Sequence, residues 1–199
     1  MDGLMSRVIL DYPAGYWRLE NEDYYNRILN VFPARKHEHG AIIKNVYSFF
    51  DMGFENCTFT VEFWLDTKSE KKSFIVMEGA AGGQVVRIFL KENCLYFEID
   101  NYTAFKTIEL SDNRTNVCCV YDQRTMQVYV NGVPGEKVTL PDSFLFSDVG
   151  EHFIVDNVFD LALFPKKLSE NEIRAHLSWA DFEPKEHKET LSDFFEDAL

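Results

Sequence analysis

The stretch 116–135, Asn-Val-Cys-Cys-Val-Tyr-Asp-Gln-Arg-Thr-Met-Gln-Val-Tyr-Val-Asn-Gly-Val-Pro-Gly, constrains this chain more than any other. Two β-rich runs, 117–121 and 126–130, flank the polar cluster Asp122-Gln123-Arg124-Thr125, and Asn131-Gly132 follows at once. Asn-Gly accepts the positive φ angles of a type I′ turn, the tightest link between antiparallel strands. Val128 and Val130 fall on one face of the second run while Gln127, Tyr129 and Asn131 fall on the other, the period of a half-buried strand. The stretch therefore predicts an antiparallel meander.

The same period recurs along the chain. In 59–66, Phe59, Val61, Phe63 and Leu65 alternate with Thr60, Glu62, Trp64 and Asp66. In 94–99, Leu95, Phe97 and Ile99 alternate with Tyr96 and Glu98, and this run forms a hairpin with 85–90 across Lys91-Glu92-Asn93. Tyr16–Leu19, Phe74–Met77 and Thr107–Leu110 read as further short strands, and 21–45 as a polar, irregular stretch. Strands at short spacing without intervening helices predict an all-β, two-sheet antiparallel sandwich. Ser169 and Glu172 have the spacing of a capping box, which predicts a short helix over 170–177. The organisation expected is one domain over 1–182 and an acidic amphipathic tail over 183–199. In the tail, Leu191, Phe194, Phe195, Ala198 and Leu199 form one helical stripe. So short a helix is marginal alone, and it docks either on its own body or on a partner.

Net charge is −13, which opposes nucleic acid binding, because phosphate recognition needs a basic face. It equally opposes adsorption to anionic lipid. No apolar run reaches the ~18 residues of a transmembrane helix, and the opening residues carry no basic segment followed by an apolar core, so no signal peptide is expected. Cys57, Cys94, Cys118 and Cys119 lack metal-ligand spacing and read as buried free thiols. His37 and His39 flank Glu38 without an evident third ligand, and a solvated loop is the expectation there.

Four segments resemble one family. Val128-Tyr-Val-Asn-Gly132 after Tyr121-Asp122 resembles a core motif of the laminin-G-like, concanavalin A-like lectin and glucanase jelly rolls. Asp11-Tyr-Pro-Ala-Gly-Tyr-Trp-Arg-Leu19 is similar to the opening of bacterial and phage members, and Phe59–Asp66 to one of the family's strands. Val158–Pro165 followed by Lys166–Ile173 is similar to its closing strand and short helix, with Phe159 where an aspartate is usual and Asp160 beside it. The resemblance implies a jelly-roll sandwich with a short C-terminal helix and a role in glycan or protein recognition. It implies no required cofactor, with Ca2+ a possible ligand at an unspecified site.

Glucanases of this fold carry E-x-D-x-E or E-x-D-x-x-E on one strand. Here Glu98 and Asp100 match the first half, but Tyr102 and Thr103 stand where the second glutamate belongs. Glycoside hydrolysis needs two carboxylates at a set separation, and only Glu62 on another strand offers a partner, so no catalytic residues are assigned. For binding, Glu62, Trp64, Arg87, Tyr96 and Glu98 point outward and form one face if their strands share a sheet, an aromatic-and-carboxylate set suited to sugars. The competing expectation is that Trp64 packs under a loop or helix. The function expected is non-catalytic, a structural or adhesion protein of a phage capsid or tail. Its expected partners are other virion proteins or further copies of itself, with glycan a further candidate. Synthesis is in the host cytoplasm, and the docking residues are Leu191, Phe194, Phe195 and Leu199. The alternatives are a bacterial carbohydrate-binding lectin and a glycoside hydrolase.

Overall fold

The computed structural model describes residues 11, 13, 15–19, 34–37, 40–44, 58–65, 74–78, 85–108, 114–144 and 152–180. Within them the chain forms two antiparallel sheets. The first holds β1 (Gly15–Trp17), β4 (Thr58–Leu65), β9 (Thr115–Asp122), β10 (Thr125–Val130), β11 (Val133–Pro134), β12 (Val138–Thr139) and β14 (Val158–Phe164). Its order is β1-β14-β4-β9-β10-β11, with β12 also on β10. The second holds β2 (Ala34–His37), β3 (Gly40–Lys44), β5 (Phe74–Glu78), β6 (Val86–Lys91), β7 (Cys94–Ile99), β8 (Tyr102–Thr107) and β13 (His152–Asp156), in the order β2-β3-β13-β5-β6-β7-β8. Helix α1 (Glu170–Ala180) follows β14. This is the expected jelly-roll sandwich with a short helix. The tail 183–199, including Leu191, Phe194, Phe195 and Leu199, lies outside the described residues, as does His39.

The meander of 116–135 forms as its turn chemistry predicts. β9 and β10 pair with Tyr121 opposite Met126 and Val117 opposite Val130, and Asn131 and Gly132 take φ of 47° and 70°. Gly132 suits this turn mainly through its backbone. A Cβ would meet Leu177 Cδ1 of α1 at 2.7 Å, and the backbone is left-handed. Asp122 closes the β9–β10 turn, accepting from Thr125 N at 2.8 Å and Thr125 Oγ1 at 2.7 Å. Lys167 reaches the same carboxylate at 2.6 Å. Although burial works against ionisation, these donors hold Asp122 below its ordinary value.

The core lies between the sheets. It takes Phe59, Val61, Phe63 and Leu65 from β4, Val117, Cys119 and Tyr121 from β9, and Leu95, Phe97 and Ile99 from β7, all as their alternation predicts. Trp17 and Ile43 add to it. Cys118 and Cys119, adjacent on β9, point to opposite faces and both are buried.

Four expectations are corrected. The irregular stretch 21–45 contains the β2–β3 hairpin, with His37 opposite Gly40, because Ala41, Ile42 and Ile43 pair with β13. The β6–β7 link is a two-residue turn, Glu92-Asn93, both at positive φ, rather than 91–93. A strand runs from Tyr102 to Thr107, ahead of the one expected at 107–110, since the Asp100-Asn101 turn brings it back along β7; 109 and 110 lie outside the described residues. Finally, the second face of β10 is half-buried at Gln127 as expected but buried at Tyr129, which packs in the cluster under α1.

The two ends of the chain's described body meet. β1 pairs with β14, Tyr16 opposite Ala162. A bulge between Phe159 and Ala162 turns Asp160 to φ 47°. There its carboxylate accepts the Tyr16 hydroxyl proton at 2.6 Å, and its N–H donates to Arg18 O at 2.9 Å. The opening and closing motifs are thus the two halves of one contact, and Asp160 serves architecture.

Candidate functional site

The five candidate binding residues do not share a sheet. Glu62 and Trp64 stand on β4 in the first sheet, and Arg87, Tyr96 and Glu98 on β6 and β7 in the second. All five have the predicted outward parity. However, the outer faces of the two sheets of a sandwich look in opposite directions, so the single face expected from the sequence does not exist. The Glu62–Glu98 carboxylate pair is separated in the same way and cannot flank one glycosidic bond.

The outer face of the first sheet is sealed. Thr60 Oγ1 donates to Lys166 O at 2.9 Å and accepts from Leu168 N at 3.0 Å, pinning the loop that launches α1. The capping box forms as predicted: Ser169 N donates to Glu172 Oε2 at 2.6 Å and Glu172 N donates to Ser169 Oγ at 3.3 Å. Burial opposes its ionisation, but Lys166 and Ser169 prevail and bring Glu172 down to about 2. The helix runs three residues past the predicted 177. It lays Ile173 on Tyr16, Cys118, Val120, Tyr129, Ala162 and Phe164, with Trp64 packed at the margin. Trp64 is therefore half-buried beside a helix-covered cluster, the competing expectation for it.

Glu62 is 1% exposed and fully engaged. His176 of α1 places Nδ1 2.6 Å from Glu62 Oε2 and Nε2 2.8 Å from Asp11 Oδ2, while Asn116 Nδ2 donates to Glu62 Oε1 at 2.9 Å. Burial lowers the imidazole's basicity, but Glu62 and then Asp11 outweigh it, and the net shift is upward. Burial, reinforced by Glu62, pushes the neighbouring Cys118 thiol well up. This face has charge but no access, so Glu62 is a structural group here.

The second sheet differs. Its outer face carries parallel rows across β6, β7 and β8, set by register: Arg87, Glu98 and Thr103; Phe89, Tyr96 and Phe105; Lys91, Cys94 and Thr107. The aromatic row is continuous, with Phe89 and Tyr96 stacked at 5.1 Å and 12° and Tyr96 and Phe105 tilted at 6.2 Å. Phe105 is 47% exposed at the β8 end of its row, and Arg87 is exposed at the β6 end of the adjoining row, beside Phe89. The charge and hydrogen bond of Cys94 raise the Tyr96 hydroxyl above its ordinary value, so it is a neutral hydrogen-bonding group at pH 7. Phe89 and Phe105 are the residues sequence reasoning missed. Placing the two turns correctly, Glu92-Asn93 and Asp100-Asn101, would have aligned both with Tyr96.

Among the described residues no group of three or more His, Cys, Asp or Glu side chains is arranged to hold a metal ion. The Asp11 and Glu62 carboxylates approach opposite nitrogens of one imidazole, which keeps them from converging on a single centre. No helix of the described residues is long and apolar enough to cross a membrane.

Comparison with known proteins agrees with this architecture. The family described as the concanavalin A-like lectin/glucanases superfamily, of laminin G type, matches residues 45–174. The chain belongs to that superfamily. Comparison of the sequence with curated proteins finds no match. Among solved structures, the fold is similar to a botulinum neurotoxin type C structure described by the dependence of its cell entry on two ganglioside molecules (TM-score 0.63, 12% identity, covering 87% of this chain and 52% of that one). It is also similar to the binding domain of botulinum neurotoxin DC, solved with rat synaptotagmin II (TM-score 0.62, 10% identity, 84% and 51% covered). The same domain solved with SialylT is a further match (TM-score 0.61, 12% identity, 85% and 52% covered). The chain spans about half the length of these structures, and at such identities the likeness is one of fold.

Proposed function

We propose that this chain is a non-catalytic recognition module that binds glycan on the outer face of its second sheet. Tyr96 and Phe105 provide the stacking surface, and Arg87 and Glu98 the polar contacts. The observation that carries this reading is the unbroken Phe89–Tyr96–Phe105 row with an exposed end and a charged row alongside. A pyranose presents an apolar face that stacks on such rings and hydroxyls that bond to a flanking guanidinium and carboxylate. The gangliosides and SialylT named with the toxin structures support a glycan as the ligand class. Glu62 and Trp64 take no part in this reading, since the helix-covered cluster engages them.

No cofactor is required for stacking, and the test is run with and without Ca2+. A glycan array probed with the intact chain is expected to give hits that Phe105→Ala and Tyr96→Ala abolish and Trp64→Phe retains. Hits that survive both substitutions would move the site elsewhere. Turnover of β-glucan by the wild-type chain would restore the hydrolase alternative.

The setting proposed for the module is a phage virion, capsid or tail, made in the host cytoplasm. Leu191, Phe194, Phe195 and Leu199 of the tail dock on another subunit, whether another virion protein or a second copy. Support comes from the resemblance of residues 11–19 to phage and bacterial members and from the acidic, Phe-bearing tail. Light scattering of the intact chain against a chain ending at Phe182 tests it. An oligomer that becomes monomeric on truncation supports assembly through the tail, and two monomers count against self-assembly.

A further inference from the structure

His176 is the most enclosed ionisable group of α1, at 0% exposure, and both its ring nitrogens face carboxyl oxygens, at 2.6 and 2.8 Å. A neutral imidazole carries a proton on one nitrogen and a lone pair on the other. With two carboxylates, one contact would then set a lone pair against a lone pair at hydrogen-bond distance. The geometry needs one more proton than neutral imidazole plus two carboxylates can supply. That proton belongs on the most basic of the three groups. Imidazole has an ordinary value of about 6.5, against about 4 for carboxyls.

We propose that His176 is a resident imidazolium whose shared proton clasps α1 and the segment ahead of β1 onto the first sheet. Three distant parts of the chain meet in it: Asp11 before β1, Glu62 at the centre of β4, and His176 in the second half of α1. Among the described residues, the other ionisable groups facing the clasp are engaged or neutral. Along the row beneath the helix stand Tyr16, Glu62, Cys118 and Tyr129. Tyr16 donates to Asp160, Tyr129 donates to Gln127, and Cys118 is held as a thiol. One turn back on α1, Glu172 is taken by Lys166 and the capping box. Phe164 stacks on the imidazole from β14, with centroids 5.8 Å apart and planes at 23°, an arrangement that suits a cation on a ring face. The upward shift of His176 agrees with this geometry.

The device is conformational. While the proton is present, the trio carries a net charge of −1 and each nitrogen donates. When it leaves, the buried Glu62 carboxylate and the part-buried Asp11 carboxylate share a neutral ring that can donate from only one nitrogen, and the hold of α1 on the sheet weakens. Releasing α1 would uncover Tyr16, Cys118, Tyr129 and Phe164, so alkaline conditions are expected to loosen the first sheet's outer face before the second's.

The test is nuclear magnetic resonance of the full chain with 15N-labelled histidine at pH 7.5, where an ordinary histidine is about nine-tenths neutral. One histidine is expected to show both ring nitrogens protonated. That signal is expected to survive when His37, His39, His152 and His187 are each replaced by Gln, which assigns it to His176 without disturbing the clasp. In Glu62→Gln, or in Asp11→Asn if the first does not fold, the pH midpoint of this signal is expected to fall. Five neutral histidines at pH 7.5 would overturn the proposal. Loss of the signal in one of the four control variants, or an unmoved midpoint in the carboxyl variant, would do the same.

Discussion

The two outward sheet faces of this sandwich start from similar sequence and end in opposite states. Trp64 on β4 and Tyr96 on β7 each alternate with core residues, and each has a glutamate two positions away, Glu62 and Glu98. On the first sheet α1 covers that pattern, Glu62 becomes a buried ligand of His176, and Trp64 packs beside the covered cluster. On the second sheet the pattern joins Phe89 and Phe105 in an aromatic row ending at a 47% exposed ring. Parity decides which way a side chain points. What lies in that direction decides whether it stabilises or recognises.

The comparison can be broken by unequal effects of matched substitutions. Glu62→Ala strips the clasp of one carboxylate and leaves His176 and Asn116 facing a gap. Losing one partner of a buried ionic pair is expected to cost about 3–5 kcal/mol, read as a fall in the urea midpoint, whereas Glu98→Ala on the other face is expected to leave that midpoint nearly unchanged. Equal effects would erase the distinction between the faces.

Next in size is the pH dependence. His176 is raised in the folded state, so its stabilisation is fully present below its unfolded value of about 6.5. It is lost as pH rises through the folded value, with a slope of at most about 1.4 kcal/mol per pH unit from this one proton. Urea titrations between pH 6 and 9 are expected to show that decline in wild type and a flatter profile in Glu62→Gln.

Ser169→Ala removes the side-chain half of the capping box. It is expected to cost about 1 kcal/mol, seen as loss of protection in hydrogen exchange that starts at the helix N-terminus. The smallest stability effect is expected from Phe105→Ala, within about 0.5 kcal/mol of wild type because the ring is exposed. The same variant is expected to lose glycan binding. A large stability loss without a binding loss would make Phe105 a packing residue and remove the contrast.

Much of the architecture was legible locally. Alternation placed β4, β7 and β10, Asn131-Gly132 placed a turn, and Ser169 with Glu172 placed the start of α1, because each depends on a few neighbouring residues. The strand at 102–107 was missed because the turn before it uses Asp100 at positive φ rather than a glycine. The β2–β3 hairpin was missed because its short, mixed strands are stabilised by pairing with β13, over a hundred residues away. Of the proposed site, parity placed Arg87, Tyr96 and Glu98 on one outer face, but their grouping with Glu62 and Trp64 was not correct, since β4 lies in the first sheet and β6 and β7 in the second.

By itself, then, the sequence determined the strands, the parity of their side chains, the tight turns and the helix cap, all governed by contacts within a few residues. Only the tertiary structure decided which strands share a sheet, which face α1 covers, and that Glu62 and Asp11, the latter 165 positions from His176, hold that imidazole between them. Those outcomes depend on burying apolar surface and pairing buried charge across the whole chain, and no local pattern of residues encodes which distant group arrives.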